Sequence, residues 1–505
     1  MHVIRLKIRL QPGDAELLDK RFRIMTKIHN VIVKRAQKLI RILRRDKLYQ
    51  KLLNEYKQCS EKDEERRKKF SEELSLIREK YRLTESGLQL YAKVQANKYK
   101  KNVSSQQVQK EATRVYQGVE KVIFSDGETL NFKNSVNQRT ISGKSPTNGI
   151  QLYTRNHDYL PKKANREGKI DHILWNGHWF KLKINYDDQY VSEALSHEVS
   201  YCEIVRLAFN DGWHYYVNVY LKDDAPLKYI PGQSTMGIDP GTSTVAGVSE
   251  TKVVLRELAP EVTKYDKEIH KLQRHIDRSK RQLNPNNYNN DGTIKKGKHK
   301  WKFSKNCRRA IQKLRTLYRK KAAYVKQSHE MLANEIIKNS CVFFVEKMNY
   351  KALAKRSKKE TQKSDKTIVN KQGKVIQKNK KKKRFGRSIG SRAPALFFII
   401  LQRKCKQYKL KYYEINTQTF KASQYDHVQN KYIKCTLNDR TKIIDGIEVQ
   451  RDLYSAFLIS CSNKTLDHAN RKLCLERFSN FVKLMQNEIS IMKSQGISKK
   501  KCFGF

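Results

Sequence analysis

Three short segments in the last 270 residues of the chain constrain its fold more than any other feature. They occupy residues 236–241 (MGIDPG), 342–349 (VFFVEKMN) and 450–456 (QRDLYSA). Each places one carboxylate at the end or the start of an apolar stretch, namely Asp239, Glu346 and Asp452. Because an uncompensated acid is costly to bury, these patterns predict elements that direct their acids to a shared polar site. Three acids from separate elements are what two Mg²⁺ ions require for phosphodiester hydrolysis.

Each acid taken alone has a structural explanation as well as a catalytic one. Asp452 precedes an apolar helical face and suits a helix N-terminus, where a negative charge complements the helix dipole. The combination is more specific, because Asp239 lies at the lip of a predicted hairpin, Glu346 ends a predicted strand and Asp452 begins a predicted helix. This order favours a catalytic metal site in which Asp239 bridges two ions.

The composition predicts a polyanionic partner. The chain of 505 residues contains 106 Lys and Arg against 50 Asp and Glu, which gives a formal net charge of +56. Because each neutralised phosphate releases counterions, a nucleic acid is the expected partner. The hydrophobic content is 38%, so part of the chain is expected to become ordered only on binding.

Signals for export, membrane insertion and local zinc binding are missing from the sequence. No run of about twenty apolar residues predicts a membrane span, and the alternating N-terminus is typical of a strand rather than a signal peptide. The nine cysteines are scattered without a C-x-x-C pair, which argues against a disulfide framework and a local zinc site. We therefore expect a reducing cytoplasm.

The first part of the chain predicts a helical insertion within a β-domain. Residues 1–10 predict a strand, and from 13 to about 127 apolar residues recur at helical spacing, as from Ile28 to Leu43. The helices form either an ordinary bundle with solvated charges or a basic lobe that clamps a duplex backbone, and we favour the second. From about 152 onward, short aromatic-rich runs predict a small β-barrel or curled sheet that the N-terminal strand completes.

The second part of the chain predicts alternating strands and helices. The expected elements are a hairpin at 234–255, helices near 260–283, at 305–339, at 394–408 and after Asp452, and strands at 342–345 and 410–415. The Lys-rich stretch from 355 to 387 has no apolar period and is expected to be mobile when free.

The three acidic segments resemble the split motifs of a RuvC-type nuclease domain, which has an RNase H-like fold. Their arrangement is similar to that of TnpB, the RNA-guided nuclease of bacterial insertion sequences, and of the related compact type V CRISPR effectors (Cas12-like). The resemblance implies an α+β multidomain protein. Its parts are a β-barrel wedge domain (1–12 and 152–231), a helical recognition domain inserted in it (13–151) and an RNase H-like (RuvC) α/β nuclease domain (232–505). It also implies that Asp239, Glu346 and Asp452 are catalytic and bind two Mg²⁺ ions.

The sequence departs from the family pattern at two places. The last motif usually reads Asp-x-Asn-Ala-Ala, whereas Tyr454 replaces the Asn here. Family members also commonly carry a four-cysteine zinc ribbon before the third acid, but residues 417–451 offer only Cys435 and His427. Since two ligands cannot close a tetrahedral site, we expect a degenerate, zinc-free insertion that is held by packing.

The resemblance implies an RNA-guided DNA endonuclease of the bacterial cytoplasm, associated with the nucleoid. A guide RNA would pair with target DNA beside a short motif that the protein reads. The expected partners are thus guide RNA and double- and single-stranded DNA, with no membrane, in a monomer or a homodimer. Two alternatives stay open: a guide-dependent repressor that does not cut, and a guide-free, transposon-encoded DNA nuclease.

Overall fold

A computed structural model describes residues 1–60, 63–124, 127–354, 363–369, 375–379, 385–434, 439–500 and 502–505. These residues form two compact units, Met1–Pro226 and Leu227–Phe505. The expected boundary at residue 231 lies a few residues beyond the division between the units. None of the helices in the described ranges has the length and apolar character needed to cross a membrane.

The described residues of the first unit form a seven-stranded antiparallel sheet, in the order β2-β6-β7-β1-β5-β4-β3. Its strands are β1 (His2–Arg9), β2 (Thr140–Ser142), β3 (Ile150–Tyr153), β4 (His172–Trp175), β5 (His178–Lys183), β6 (Val199–Phe209) and β7 (Gly212–Leu221). Strand β1 alternates buried and exposed residues along its whole length, as its sequence predicts. It pairs with β7 on one side and β5 on the other, so the N-terminal strand lies in the middle of the sheet.

This sheet is open, which corrects the expected closed barrel. Its edge strands β2 and β3 pair, within the described residues, with β6 and β4 and not with each other. Residues 143–149 connect the two edge strands. The strands come close to each other there, since a Cβ atom added to Gly143 would lie 3.8 Å from the backbone nitrogen of Ile150. The edge strands have three and four residues, and in the described ranges each pairs along its whole length with its inner neighbour and not with the other edge strand, so the two edges approach without forming a ladder.

A helical part follows β1, as predicted. Its described helices are α1 (Asp14–Leu43), α2 (Lys47–Gln58), α3 (Glu64–Lys80), α4 (Glu85–Lys98) and α5 (Ser105–Phe124), and a short α6 (Gln189–Ala194) precedes β6. The stripe predicted in α1 is buried at Ile28, Ile32, Leu39 and Leu43. The sheet resumes at β2, which is earlier in the chain than the expected return to strands near residue 152.

A buried charge network connects these helices to the sheet. Glu111 of α5 accepts hydrogen bonds from His29 (2.7 Å), Lys133 (2.9 Å) and Arg114 (3.2 Å). Burial alone would raise the pKa of Glu111, but the three donors outweigh it and hold this pKa at about 2. Arg114 also donates to Glu203 of β6 at 2.6 Å. The network therefore ties α1 and α5 to the face of the sheet.

The described residues of the second unit contain a five-stranded sheet in the order β10-β9-β8-β11-β14. Its strands are β8 (Ser234–Pro240), β9 (Thr244–Ser249), β10 (Val253–Glu257), β11 (Ser340–Glu346) and β14 (Lys411–Ile415). Strands β8 to β10 form an antiparallel meander, whereas β11 runs parallel to both β8 and β14. The predicted hairpin at 234–255 thus has a third strand.

Helices cover both faces of this sheet. They are α7 (Val262–Leu283), α8 (Lys305–Asn339), α9 (Tyr350–Ala354), α10 (Gly386–Arg392), α11 (Pro394–Gln407), α12 (Thr417–Phe420), α13 (Arg451–Ser460) and α14 (Arg471–Ser494). Apolar residues of α8 and α11 pack with Met236, Ile238 and Phe343 on one face. Those of α13 and α14 pack with Ala246, Val248 and Ile415 in a separate cluster. The single helix expected after Asp452 is in fact two, because the chain turns at residues 461–470 and Asn470 caps α14.

The remaining described strands are short antiparallel pairs. They are β12 (Lys363–Val369) with β13 (Val375–Asn379), β15 (Tyr425–Asp426) with β16 (Lys431–Tyr432), and β17 (Thr441–Ile444) with β18 (Ile447–Gln450). The Lys-rich stretch 355–387 lies largely outside the described residues, so the predicted mobility of those parts stays a prediction. Its described part contains the paired strands β12 and β13, which its composition did not indicate.

Candidate active site

Asp239 and Glu346 lie side by side because of the register of two parallel strands. Val345 of β11 is opposite Ile238 of β8, so the next residue on each strand, Glu346 and Asp239, meets at the same edge. Side chains alternate between faces along a strand, so both acids point to the face away from the Phe343 and Ile238 core. The strand-end acid and the hairpin acid of the sequence analysis are therefore neighbours.

The two carboxyl groups influence each other's ionisation. Burial first, and then the charges of Glu346 and Asp452, raise the pKa of Asp239 well above its usual range. Burial also raises the pKa of Glu346, although hydrogen bonds from Asp239 and the Thr417 hydroxyl oppose this rise. The raised pKa of Asp239 reflects its burial together with negative charge at this site that its surroundings do not fully offset.

Helix α13 brings the third acid to the same place by close contact with β8. Gly237 is so near this helix that a Cβ atom on it would lie 2.2 Å from the Ser460 backbone nitrogen and 2.3 Å from the Ala456 oxygen. Asp452 is one helical turn before Ala456, about 6 Å along the axis, and Asp239 is two residues beyond Gly237, about 6.6 Å along the strand. The matching distances place Asp452 close enough to Asp239 for its charge to act on it.

Two arginines neutralise the Asp452 carboxylate. Arg451 donates from Nε (3.2 Å) and Nη2 (3.0 Å) to Oδ1 of Asp452, and Nη1 of Arg440 lies 3.7 Å from its Oδ2. Arg451 also donates to the backbone oxygen of Asp439 at 2.7 Å. The hairpin of β17 and β18 returns the chain so that Arg440 and Arg451 are adjacent. The third acid is thus held at the start of α13 by fixed positive charge.

The donor set fits Mg²⁺ in its chemistry. Mg²⁺ prefers carboxylate oxygen ligands. Burial and then the repulsion between the acids raise the pKa of Asp239, and a cation would offset that repulsion. Among the residues that the structure describes, no three His, Cys, Asp or Glu side chains are grouped as a metal centre. Asp452 instead faces its arginines. The structure thus brings Asp239 and Glu346 into contact and leaves Asp452 nearby, in an ion pair.

Sequence reasoning missed three residues of this site. Arg451 directly precedes Asp452 in the sequence, and this adjacency could have identified it as a partner of that acid. Arg440 and Thr417 are distant in sequence from the acids they contact. Only the return of the β17–β18 hairpin and the parallel pairing of β11 with β14 bring them there.

Tyr454, which replaces the Asn of the family motif, has a structural partner. It is fully buried, and its hydroxyl lies 2.8 Å from Nδ1 of His427 while accepting the His427 backbone N–H at 3.3 Å. Burial lowers the pKa of His427, so the ring is neutral. Phe457 and Phe478 pack against this ring at centroid distances of 5.9 and 4.8 Å.

The segment compared with a zinc ribbon is described except at 435–438, so Cys435 lies outside the described residues. On either side of that gap, the segment contributes buried residues to the core of α13 and α14, namely Phe420, Ala422, Tyr425, Ile444 and Val449. His427, one of the two candidate ligands, belongs to the aromatic cluster around Tyr454. The absence of zinc remains a prediction, and packing accounts for how the described part of the segment is held.

Comparisons with known proteins found similar chains only among solved structures. No family model matches the sequence, and no curated protein matches it. The chain is similar to that in the cryo-EM structure of a Cas12f1–sgRNA–target DNA complex, with 13% identity, coverage of 89% of this chain and 83% of that chain, and a TM-score of 0.47. It is also similar to the chain in a CRISPR-Cas12f ternary complex, with 12% identity, coverage of 88% and 82%, and a TM-score of 0.25. Both solved structures are complexes of Cas12f.

Proposed function

We propose that this protein is an RNA-guided DNA endonuclease with a RuvC-type nuclease domain at residues 232–505. One observation carries the proposal: Asp239 and Glu346, distant in sequence, lie together at one edge of a sheet with Asp452 near enough for its charge to act on Asp239, in a chain of net charge +56. A cluster of carboxylates is unfavourable without a cation, and a chain of this charge suits a polyanion. A Mg²⁺-dependent nuclease accounts for both features.

Asp239, Glu346 and Asp452 would bind two Mg²⁺ ions. When bound, these ions supply an activated water and stabilise the charge on the leaving oxygen. Other side chains of the protein position the acids and set the net charge of the site. The Thr417 hydroxyl donates to the backbone oxygen of Lys347 at 2.7 Å, next to Glu346, and its proximity opposes the rise in the pKa of that acid. Arg451 orients Asp452 and adds positive charge where a substrate phosphate would bind.

A basic arm supports binding to a phosphate backbone. We define it as residues 262–339, which comprise α7, a connecting loop and α8. Residues 292–329 contain no Asp or Glu. Asn284 structures the loop, since its amide donates to the oxygens of Lys280 and Lys302 at 2.9 Å each and its oxygen accepts from the Lys302 backbone at 2.7 Å. Exposed lysines project from this loop at positions 295, 296, 298, 300 and 302. Such a surface neutralises phosphates regardless of base sequence.

The guide RNA follows from the resemblance of the three acidic segments. We propose that residues 1–12 and 152–231 form the wedge domain and residues 13–151 the recognition domain, and that base pairing selects the target. The helices of that part and the basic arm would then bind backbone rather than read bases.

Asp239→Asn tests the catalytic part of the proposal. Asn keeps the size of the side chain and removes the charge, and burial already favours the neutral form of Asp239, so the variant is expected to fold. We expect it to lose Mg²⁺-dependent DNA cleavage and to keep its co-purified RNA. Asp467→Asn, at an exposed turn of the same unit, is the matched control and should cut normally. Cleavage at the wild-type rate by the Asp239 variant would refute the site assignment.

Sequencing the RNA that co-purifies with the chain separates the alternatives. A uniform structured RNA together with cleavage supports the proposal. The same RNA without any cleavage points to a guide-dependent repressor. Cleavage without a specific RNA points to a guide-free nuclease, and that result would remove the guide from the proposal.

A further inference from the structure

A small pocket adjoins the candidate active site. Its volume is about 230 Å³, and Pro240 and Glu346 form part of its lining. These residues end the strands that carry the acids, so the pocket lies at the same edge of the sheet as the carboxylate pair. It is on the side of α11, whereas the two carboxylates point to the other side. The volume is below the roughly 300–1,000 Å³ of pockets for drug-sized ligands. It therefore suits a single ring system rather than a larger molecule.

The walls of the pocket are apolar and partly aromatic. They consist of Met348, Tyr350, Phe398, Ile399 and Tyr412. The rings of Tyr350 and Phe398 are within 21° of parallel, with centroids 6.5 Å apart, at the wide end of the range for rings in contact. Ile399 is 61% exposed, although its neighbours Phe397, Ile400 and Leu401 in α11 are buried. An exposed aliphatic side chain between aromatic faces favours a ligand that is itself flat and apolar on its faces.

The rim of the pocket is polar but not suited to an anion. Gln402 donates to Glu414 at 3.2 Å, and Lys347 forms an ion pair with the same carboxylate at 3.1 Å. Lys347 is the one cation among the described residues of the lining, and Glu414 already engages it, so these residues offer no surplus positive charge for a phosphate. The Gln402 amide and the Glu414 carboxylate instead offer donors and acceptors to the edge of a neutral ring. Apolar faces with a hydrogen-bonding edge are the properties of a nucleobase.

We propose that this pocket binds the base of the nucleotide next to the scissile phosphate of the cleaved DNA strand. The inference rests on the proposed function and adds the position of the substrate. Tyr350 connects the two sites, because it lines the pocket and its hydroxyl donates to the Gly241 oxygen (3.3 Å), just beyond Asp239. A base within a duplex is stacked between its neighbours, so the pocket takes a base from an unpaired strand. Binding there would fix the register of the phosphate against the acids.

An abasic scan tests the proposal in the purified chain with its co-purified RNA. Target DNAs carry one abasic site at successive positions around the cut. We expect kcat/KM to fall roughly tenfold at one position adjacent to the cut, the loss expected for one stacked base. In Ile399→Ala and Phe398→Leu, this position-specific penalty should shrink several-fold. Ile399 is largely exposed, so its variant should fold normally even if Phe398→Leu is destabilised.

The matched control is Leu475→Ala, which removes another exposed aliphatic side chain, in α14 (49% exposed). It should keep the full abasic penalty. The proposal is overturned if no single position is sensitive, or if both pocket variants keep the wild-type penalty.

A second readout needs no cleavage. The same DNAs carry 2-aminopurine in place of the abasic site, and fluorescence is measured in EDTA. Quenching at one position in the wild type, which is relieved in Ile399→Ala, supports the pocket. Uniform fluorescence at every position refutes it. If DNA binds with that quenching pattern and is never cut, the proposed function fails while the pocket assignment stands.

Discussion

The contact between Gly237 and α13 makes a sharp prediction for the substitution Gly237→Ala. The added Cβ atom would lie 2.2 and 2.3 Å from backbone atoms of Ser460 and Ala456. Ordinary contacts are 3.4 Å or longer, so α13 must move by about 1 Å. Backbone atoms cannot rotate away as a flexible side chain can. We expect a loss of stability of about 1–3 kcal/mol, the usual cost of overpacking a core.

The displacement should impair catalysis more than folding. Asp452 is carried by α13, and a misplacement of about 1 Å in an active site can cost roughly 100-fold in rate. We therefore expect Gly237→Ala to lower single-turnover cleavage by about two orders of magnitude at a temperature where circular dichroism shows it folded. A variant that cuts at the wild-type rate would refute the idea that this contact positions Asp452.

Gly247→Ala in the adjacent strand β9 is the matched control. Its Cβ atom would meet the sulfur of Met236 at 3.1 Å, and this flexible side chain can adjust. The control should keep most of its activity. An equal loss in both variants would show that general disturbance of the sheet, rather than the position of α13, is responsible.

Three further predictions concern other parts of the chain. The pKa of Glu111 is about 2 in the folded protein, against about 4.5 in the unfolded chain. Because the folded state favours the ionised carboxylate, this group stabilises the folded state fully above about pH 4.5. That contribution, about 3 kcal/mol, should disappear as the pH falls towards 2, and Glu111→Gln should flatten this part of a pH-dependent unfolding curve. Tyr454→Phe leaves buried donors and acceptors of His427 unpaired and should lower the free energy of unfolding in urea by about 1–3 kcal/mol, whereas Tyr432→Phe, at an exposed ring, should not. Replacing Lys296, Lys298 and Lys300 by Gln should reduce the slope of log K against log salt for duplex DNA by up to about 3; an unchanged slope would show that the basic arm does not contact the backbone.

Local patterns in the sequence predict the elements of the second unit well. The helix at Lys305–Asn339 has the predicted bounds, because Ser304 caps it and the Gly- and Asn-rich loop before it cannot continue a helix. The strands that carry Asp239 and Glu346 are equally local, being apolar runs that end at an acid. That these two strands are neighbours depends on parallel pairing. The sequence indicated this pairing only because the three acidic segments occur together.

Features that depend on distant contacts were beyond the sequence. The open edge of the first sheet depends on how far β2 and β3 extend, and both are too short to give a clear alternating pattern. The ion pair between Arg440 and Asp452 requires the turn of β17 and β18. The pocket beside Glu346 forms between α11 and two strands from different parts of the chain, so no single segment indicates it.

The three acids are neutralised in two different ways, and the difference follows from the elements that carry them. Asp239 and Glu346 lie on adjacent strands in the middle of a sheet, where burial outweighs the charge of Arg451 and favours the protonated form of the acids. Asp452 lies at the start of a helix, with its side chain 16% exposed. There the preceding residue and a returning hairpin can supply arginines. The strand pair therefore keeps unfavourable negative charge that a cation would offset, whereas Arg451 and Arg440 already compensate the Asp452 carboxylate.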